Sequence, residues 1–228
     1  MAPVLALSAQ AQPPDAVAPD CGGPRAILLV GGFGDDWHYF EPWLDELKQS
    51  GVCVFGSKPD FRKVTLPEGA QLLRDNLWLL QDQGFKEVTI LAHSMGGLAA
   101  RKAVSMLNER EGSEDLSVLL HAYGTPWGGF FWANFVRWTP GGEAISSLLG
   151  YPMSADIGSE ADFMKSLREP LPANVKLVVH HSKTDTVSEP ETAQGQENFA
   201  AILTQASEFR EYRDLGHVDY VEYLTAAQ

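Results

Sequence analysis

The 228-residue chain is short of everything that a membrane span, a nucleic-acid binder or a disulfide-dense scaffold requires. No apolar stretch reaches the roughly 18 residues that cross a bilayer as a helix. Cations are scarce: 17 Lys and Arg stand against 30 Asp and Glu, the net charge is −13, and Lys and Arg form no run. Phosphate binding depends on clustered cations, so a nucleic-acid partner is excluded. The acidity favours solubility and mildly repels anionic membrane surfaces. There are only two cysteines, Cys21 and Cys53. They fit one disulfide tying the N-terminal arm to a strand, as an exported protein would keep. They fit equally a tail thiol plus a strand thiol buried in Val52-Cys53-Val54-Phe55. Neither has a His or acid beside it in a nucleophile pattern.

Residues 1–24 are rich in Ala, Pro and Gln and carry neither a helical nor a strand period. Val4–Ala11 looks like the end of a signal peptide with a small-residue cleavage site, but a basic n-region is missing and the apolar part is short. A flexible tail is expected there. A secretory origin is favoured for it, and both an exported and a cytoplasmic location stay open.

From residue 25 onward, with 44% of the chain hydrophobic, one domain can bury a full core. Arg25–Val30 is a continuous apolar run ending in Gly31-Gly32-Phe33-Gly34, which suits a strand buried on both faces of a parallel sheet. A helix is expected over Tyr39–Ser50, stopped by Gly51, then a short strand Val52–Phe55. After Pro67, the residues Leu72, Leu73, Asn76, Leu77 and Leu80 share one helical face, which ends at Gly84. Further strands are expected at Glu87–Ala92, Ser117–Tyr123, Val175–His180 and Phe209–Arg213. Helices fall at about 95–110, 191–205 and after His217. Strands alternating with helices imply a mostly parallel sheet covered on both faces, with its ligand site at the carboxyl ends of the strands.

The strongest chemical signal lies at such an end. Ala92-His93-Ser94-Met95-Gly96 follows a strand and opens a helix. A serine on so sharp a turn is held in strained backbone with its hydroxyl above the sheet. Small residues flank it because the turn brings backbones together; Ala92 stands where a Gly is usual, and Gly96 and Gly97 keep the other side open. The helix N-terminus beneath favours developing negative charge. The bland alternative is a chance Ser in a strand–helix connection. The surrounding strand and helix are the context that separates the two.

Ala92-His93-Ser94-Met95-Gly96-Gly97, with Gly31-Gly32-Phe33-Gly34 upstream and Gly124-Thr125-Pro126-Trp127-Gly128-Gly129 downstream, resembles the bacterial lipase and esterase branch of the α/β-hydrolase superfamily. The resemblance spans roughly residues 25–225 in order and spacing. It implies an α/β-hydrolase fold, carboxylic-ester hydrolysis, and a nucleophile, acid and base in that chain order. Among six histidines, His217 in Leu215-Gly216-His217 matches the family's base position, between the last strand and the last helix. His93 reads as a structural neighbour of Ser94, and His38, His121 and His180 as surface or core residues. Asp185, in Ser182-Lys183-Thr184-Asp185-Thr186-Val187, is similar to the family's acid loop, with Val187 expected to pack under it. Glu189 and Glu191 compete for that role, while Asp214 is too near His217 along the chain.

For the oxyanion, the resemblance implies the N–H of Met95 and of Phe33. The chain departs from the family here, because Gly31 stands where a His is common. Residues 127–170 form a long connection that suits a lid or cap insertion. Its start holds six aromatics in twelve residues, among them Trp127, Phe131, Trp132 and Phe135, expected to contact a small-molecule or lipid ester and transiently a lipid surface. An ordinary packed helix or a dimer contact would use the same residues. Asp219 resembles the His-x-Asp of some calcium-binding lipases, but one carboxylate is far short of the six to eight oxygens calcium takes. No metal and no cofactor are expected. Acyl transfer, or thioester or amide cleavage, would use the same triad. A non-catalytic hydrolase-fold binding protein is the remaining alternative.

Overall fold

The computed structural model describes residues 13–18, 21–130 and 151–222. Seven strands form one sheet: β1 (Asp15–Ala18), β2 (Arg25–Val30), β3 (Cys53–Ser57), β4 (Glu87–His93), β5 (Ser117–Tyr123), β6 (Val175–Ser182) and β7 (Glu208–Tyr212). Their spatial order is β1-β3-β2-β4-β5-β6-β7. All neighbours pair in parallel except β1, which runs antiparallel to β3. The chain leaves β2 toward β3 on one side, then returns past β2 to β4 on the other. The loops after β2 and β4 therefore diverge at a switch point, where an open parallel sheet makes a crevice.

The helices are α1 (Leu44–Gln49), α2 (Leu66–Asp82), α3 (Met95–Ser105), α4 (Asp162–Ser166) and α5 (Ala193–Leu203). α2 starts in a capping box, with Thr65 and Glu68 each bonding the other's amide. The expected helix over Tyr39–Ser50 is instead a 3-10 helix at Trp37–Trp43, containing Pro42, that runs into α1. Pro42 has no N–H to give to an α-helical ladder.

Side chains alternate across the sheet and build two cores. On one face Leu28, Val30, Ile90, Ala92 and Leu120 meet Leu73, Leu77 and Leu80 of α2 and Leu98 and Ala99 of α3. On the other, Leu29, Val54, Leu91 and Tyr123 meet Phe40, Trp43, Leu215, Tyr220 and Val221. Of the 127–170 connection, Met153, Ile157, Phe163, Met164 and Leu167 are buried in the first of these cores.

The expectation of a flexible tail over residues 1–24 needs correcting for its second half. Asp15–Ala18 pair with β3 as an edge strand, and Cys21 is disulfide-bonded to Cys53. Four residues next to two prolines, paired on one edge only, leave too little periodicity to read. A crosslink spanning 32 residues removes loop-closure entropy worth about 3–4 kcal/mol from the unfolded chain.

Candidate active site

Ser94 caps the N-terminus of α3 with φ 53° and ψ −126°, and is the only non-glycine at positive φ among the described residues. Its amide donates to the carbonyl of Tyr123 at 2.9 Å, which pins the turn to β5. A Cβ on Gly97 would lie 1.9 Å from the Thr125 hydroxyl, so this turn closes only over glycine. Thr125 belongs to the Gly124-Thr125-Pro126 stretch after β5, so the two glycine-rich motifs in the sequence interlock.

His217, on the loop after β7, places Nε2 2.8 Å from Ser94 Oγ. Its Nδ1 lies 3.0 and 3.1 Å from the two carboxylate oxygens of Asp185, on the loop after β6. Asp185 is fully buried. Its Oδ1 accepts from the amides of Val187 (3.0 Å) and Ser188 (3.2 Å), and its Oδ2 from the Tyr220 hydroxyl (3.1 Å). Burial pushes its carboxyl up, but the bonds to His217 and Ser188 outweigh that and hold it below the ordinary value. A Cβ on Gly124 would come within 2.9 Å of Asp185 and 3.4 Å of His217 Nδ1, so the missing side chain makes room for this pair. Three strand ends thus bring Ser94, Asp185 and His217 together. The competing acid Glu189 is engaged elsewhere, 2.9 Å from His181.

Beside Ser94 opens a cavity of about 370 Å³, lined among others by Phe33, Met95, Phe130, Tyr151, Met153 and Val187. Phe33 and Met95 border it; Met95 is the first residue of α3, where helix amides lack an intrahelical acceptor. The Gly31 position, where a His is common, has its backbone against Asp36: a Cβ there would lie 2.0 Å from that carbonyl. The loop is therefore braced on backbone instead of by a side chain. Phe33 and Tyr151 meet edge to face, ring centroids 4.9 Å apart, at the exposed rim, and Val218 is 65% exposed beside them.

Trp127, expected at the substrate, is instead buried in the core, and of the connection's described aromatics Phe130 and Tyr151 reach the cavity. The chain turns at Pro126–Gly129, which directs Trp127 inward. Phe131, Trp132 and Phe135 lie outside the described residues. Val187 stands half-buried on the cavity wall and not under the acid loop. Asp219 accepts from the Gly216 amide at 2.7 Å and so closes the turn that presents His217. Sequence reasoning missed Tyr39 and Tyr220, and took His93 only as a structural neighbour of Ser94. All three act across long sequence separations; His93, next to Ser94, and Tyr220, three residues after His217, had a local cue, and Tyr39 had none.

No family model and no curated protein sequence matches the chain. Solved structures do. An esterase of Pyrococcus furiosus shares 20% identity over 91% of this chain and 80% of its own, at a TM-score of 0.55. A Bacillus licheniformis lipase in mature form shares 15% over 95% and 94%, at 0.57. An α/β hydrolase from the metagenome of lagoon sediments at Mar Chica, Morocco, shares 16% over 91% and 90%, at 0.55. The chain has the α/β-hydrolase fold.

Proposed function

We propose that the chain is a serine hydrolase that cleaves carboxylic esters. The observation that carries this is His217, within hydrogen-bond reach of Ser94 on one ring nitrogen and of buried Asp185 on the other, beside an apolar cavity. Neighbours described as an esterase and a lipase support the ester as substrate.

Ser94 Oγ attacks the ester carbonyl carbon while His217 Nε2 takes its proton, and Asp185 stabilises the resulting imidazolium. The carbonyl oxygen, now an oxyanion, is held by the N–H groups of Met95, at the N-terminus of α3, and of Phe33, on the loop after β2. His217 returns the proton to the departing alcohol, leaving acyl-Ser94. Water then attacks as His217 takes its proton, the bond from the acyl carbon to Ser94 Oγ breaks, His217 returns the proton to Oγ, and the carboxylic acid leaves. The apolar wall of Phe130, Met153 and Val187 takes the acyl group, and a volume of this size suits a small ligand. The exposed rim of Phe33, Tyr151 and Val218 suits small or lipid esters and brief contact with a lipid surface.

A p-nitrophenyl ester series from acetate to palmitate, run beside Ser94→Ala, tests this. The unmodified chain should turn over at least part of the series, and Ser94→Ala should lower kcat by roughly 10⁴-fold or more. An inert wild type, or a variant that keeps its rate, overturns the reading. An added alcohol that captures the acyl group in preference to water would recast the enzyme as an acyltransferase.

A further inference from the structure

His217 sits on a loop, yet its Nε2 must meet Ser94 within a few tenths of an ångström. Asp185 holds the ring only through Nδ1. Asp219 holds the Gly216 amide, and a pair of side chains outside the triad holds the next two carbonyls. His93 Nε2 lies 2.8 Å from the carbonyl oxygen of His217, and the Tyr39 hydroxyl donates to the carbonyl of Val218 at 3.2 Å. The two rings stack with centroids 3.8 Å apart and planes 9° apart. His93 is the last residue of β4, immediately before Ser94, and Tyr39 lies in the 3-10 helix that follows the Phe33 loop.

We infer that Tyr39 and His93 form a clamp on two consecutive loop carbonyls and act as positioning residues for the base. The inference rests on the ester-hydrolase reading above. The bonds form a closed ring: Ser94 to His93 through the chain, His93 to the His217 carbonyl, and the His217 side chain back to Ser94 Oγ. Strain on any member moves the distance over which the proton transfers. A carbonyl only accepts, so His93 carries its proton on Nε2. Its Nδ1 is buried without a hydrogen-bond partner beside Gly32, where a second proton would have no acceptor. Burial, reinforced by the nearby His217, lowers its pKa to about 3. A neutral ring 4.8 Å from His217 adds no charge to oppose the imidazolium.

The test is steady-state kinetics on a p-nitrophenyl ester with His93→Phe, His93→Gln, Tyr39→Phe and the Tyr39→Phe/His93→Phe double variant, alongside melting temperatures and the rate of Ser94 labelling by a fluorophosphonate. His93→Phe keeps the stack and loses the donor. It should lower kcat and the labelling rate by about 10- to 100-fold with KM within about twofold, since misplacing a catalytic group by 1 Å costs about 10²-fold. Gln restores an N–H and should recover most of that loss. Tyr39→Phe should show a smaller loss, and the double variant should fall no further than His93→Phe, because both donors hold one loop. Wild-type kcat and labelling in His93→Phe, or a change confined to KM and melting temperature, overturns the clamp alone. A wild type that neither turns over esters nor takes the label overturns the hydrolase reading and the clamp with it.

Discussion

The two faces of the sheet are built differently. The face under α2 and α3 is mainly aliphatic, Leu28, Val30, Leu73, Leu77, Leu80, Leu98 and their neighbours, with Phe55, Phe61, Trp127 and Phe163 set among them. Such burial is non-directional and stabilises in proportion to area. The opposite face sets a cluster of rings among Leu29, Val54, Leu91 and Leu215. Phe40, Trp43, Tyr123 and Tyr220 interlock with centroids 5.5 to 6.5 Å apart, and Tyr123 stacks on His180 at 4.1 Å. Most of these rings carry a polar atom bound to something specific. Trp43 donates to the Val221 carbonyl at 2.9 Å, Tyr220 to Asp185, and His180 pairs with both Tyr212 and His121. One face therefore supplies bulk stability, and the other fixes the directions in which the base and acid loops leave the sheet.

The largest expected effect breaks that second role at its centre. Asp185→Asn keeps the size of the side chain and can keep a partner for Tyr220, but it no longer holds His217 in the tautomer that leaves Nε2 free for Ser94. kcat on a p-nitrophenyl ester should fall by about 10⁴-fold. KM and the urea midpoint should move little. A loss of only a few-fold would remove Asp185 from the triad and direct attention to Glu191.

A second prediction sharpens the contrast through pH. Burial is the first cause that lowers His93 and His180 to about 3 and His121 to about 4. The charge of His217 adds to it for His93, that of Arg210 for His121, and that of His121 for His180. All three belong to the ring face. Their folded pKa lies below the unfolded 6.5, so between those values the unfolded chain binds more protons. Their contribution is therefore complete above about pH 6.5 and is lost as pH falls toward 4, by on the order of 1 kcal/mol per pH unit for each histidine. Urea unfolding at pH 7.5, 6, 5 and 4.5 should show the midpoint falling steadily across that window. A midpoint constant down to pH 5 would mean that these rings are hydrated or already charged in the fold.

The same contrast explains what was legible in the sequence. Arg25–Val30 and Ser117–Tyr123 are read with the bounds the structure gives them, because strands buried on both faces leave runs that are mostly apolar. The inward stripe of α2 is equally plain, since aliphatic burial repeats every three or four residues. Ser94 is legible because its turn needs small neighbours close by in the chain. The ring face leaves no such trace. The Trp43 bond to Val221 spans 178 residues and the His93 bond to His217 spans 124. Nothing local distinguishes a Tyr or His that will find such a partner from one that merely packs. Trp127 is the converse case: an aromatic in a conspicuous cluster, expected at the substrate and found in the core.

The smallest expected effect separates function from stability at the point where the two faces meet. Ser94 at φ 53° and ψ −126° occupies a region that costs a side-chain-bearing residue about 1–3 kcal/mol. Alanine inherits that strain, whereas glycine escapes it at a cost of about 0.5–1 kcal/mol in chain entropy. Ser94→Gly should therefore be more stable than Ser94→Ala by about 1 kcal/mol, or roughly 2–4 °C in melting temperature for a chain of this size. Both variants should be inactive toward esters. Calorimetry of the pair isolates the backbone term, since each lacks the hydroxyl that reaches His217. If the glycine variant melts no higher than the alanine variant, the turn is held without strain. The positive φ of the nucleophile would then follow from the Gly97 and Tyr123 contacts alone, and would not be a cost that the aliphatic face offsets.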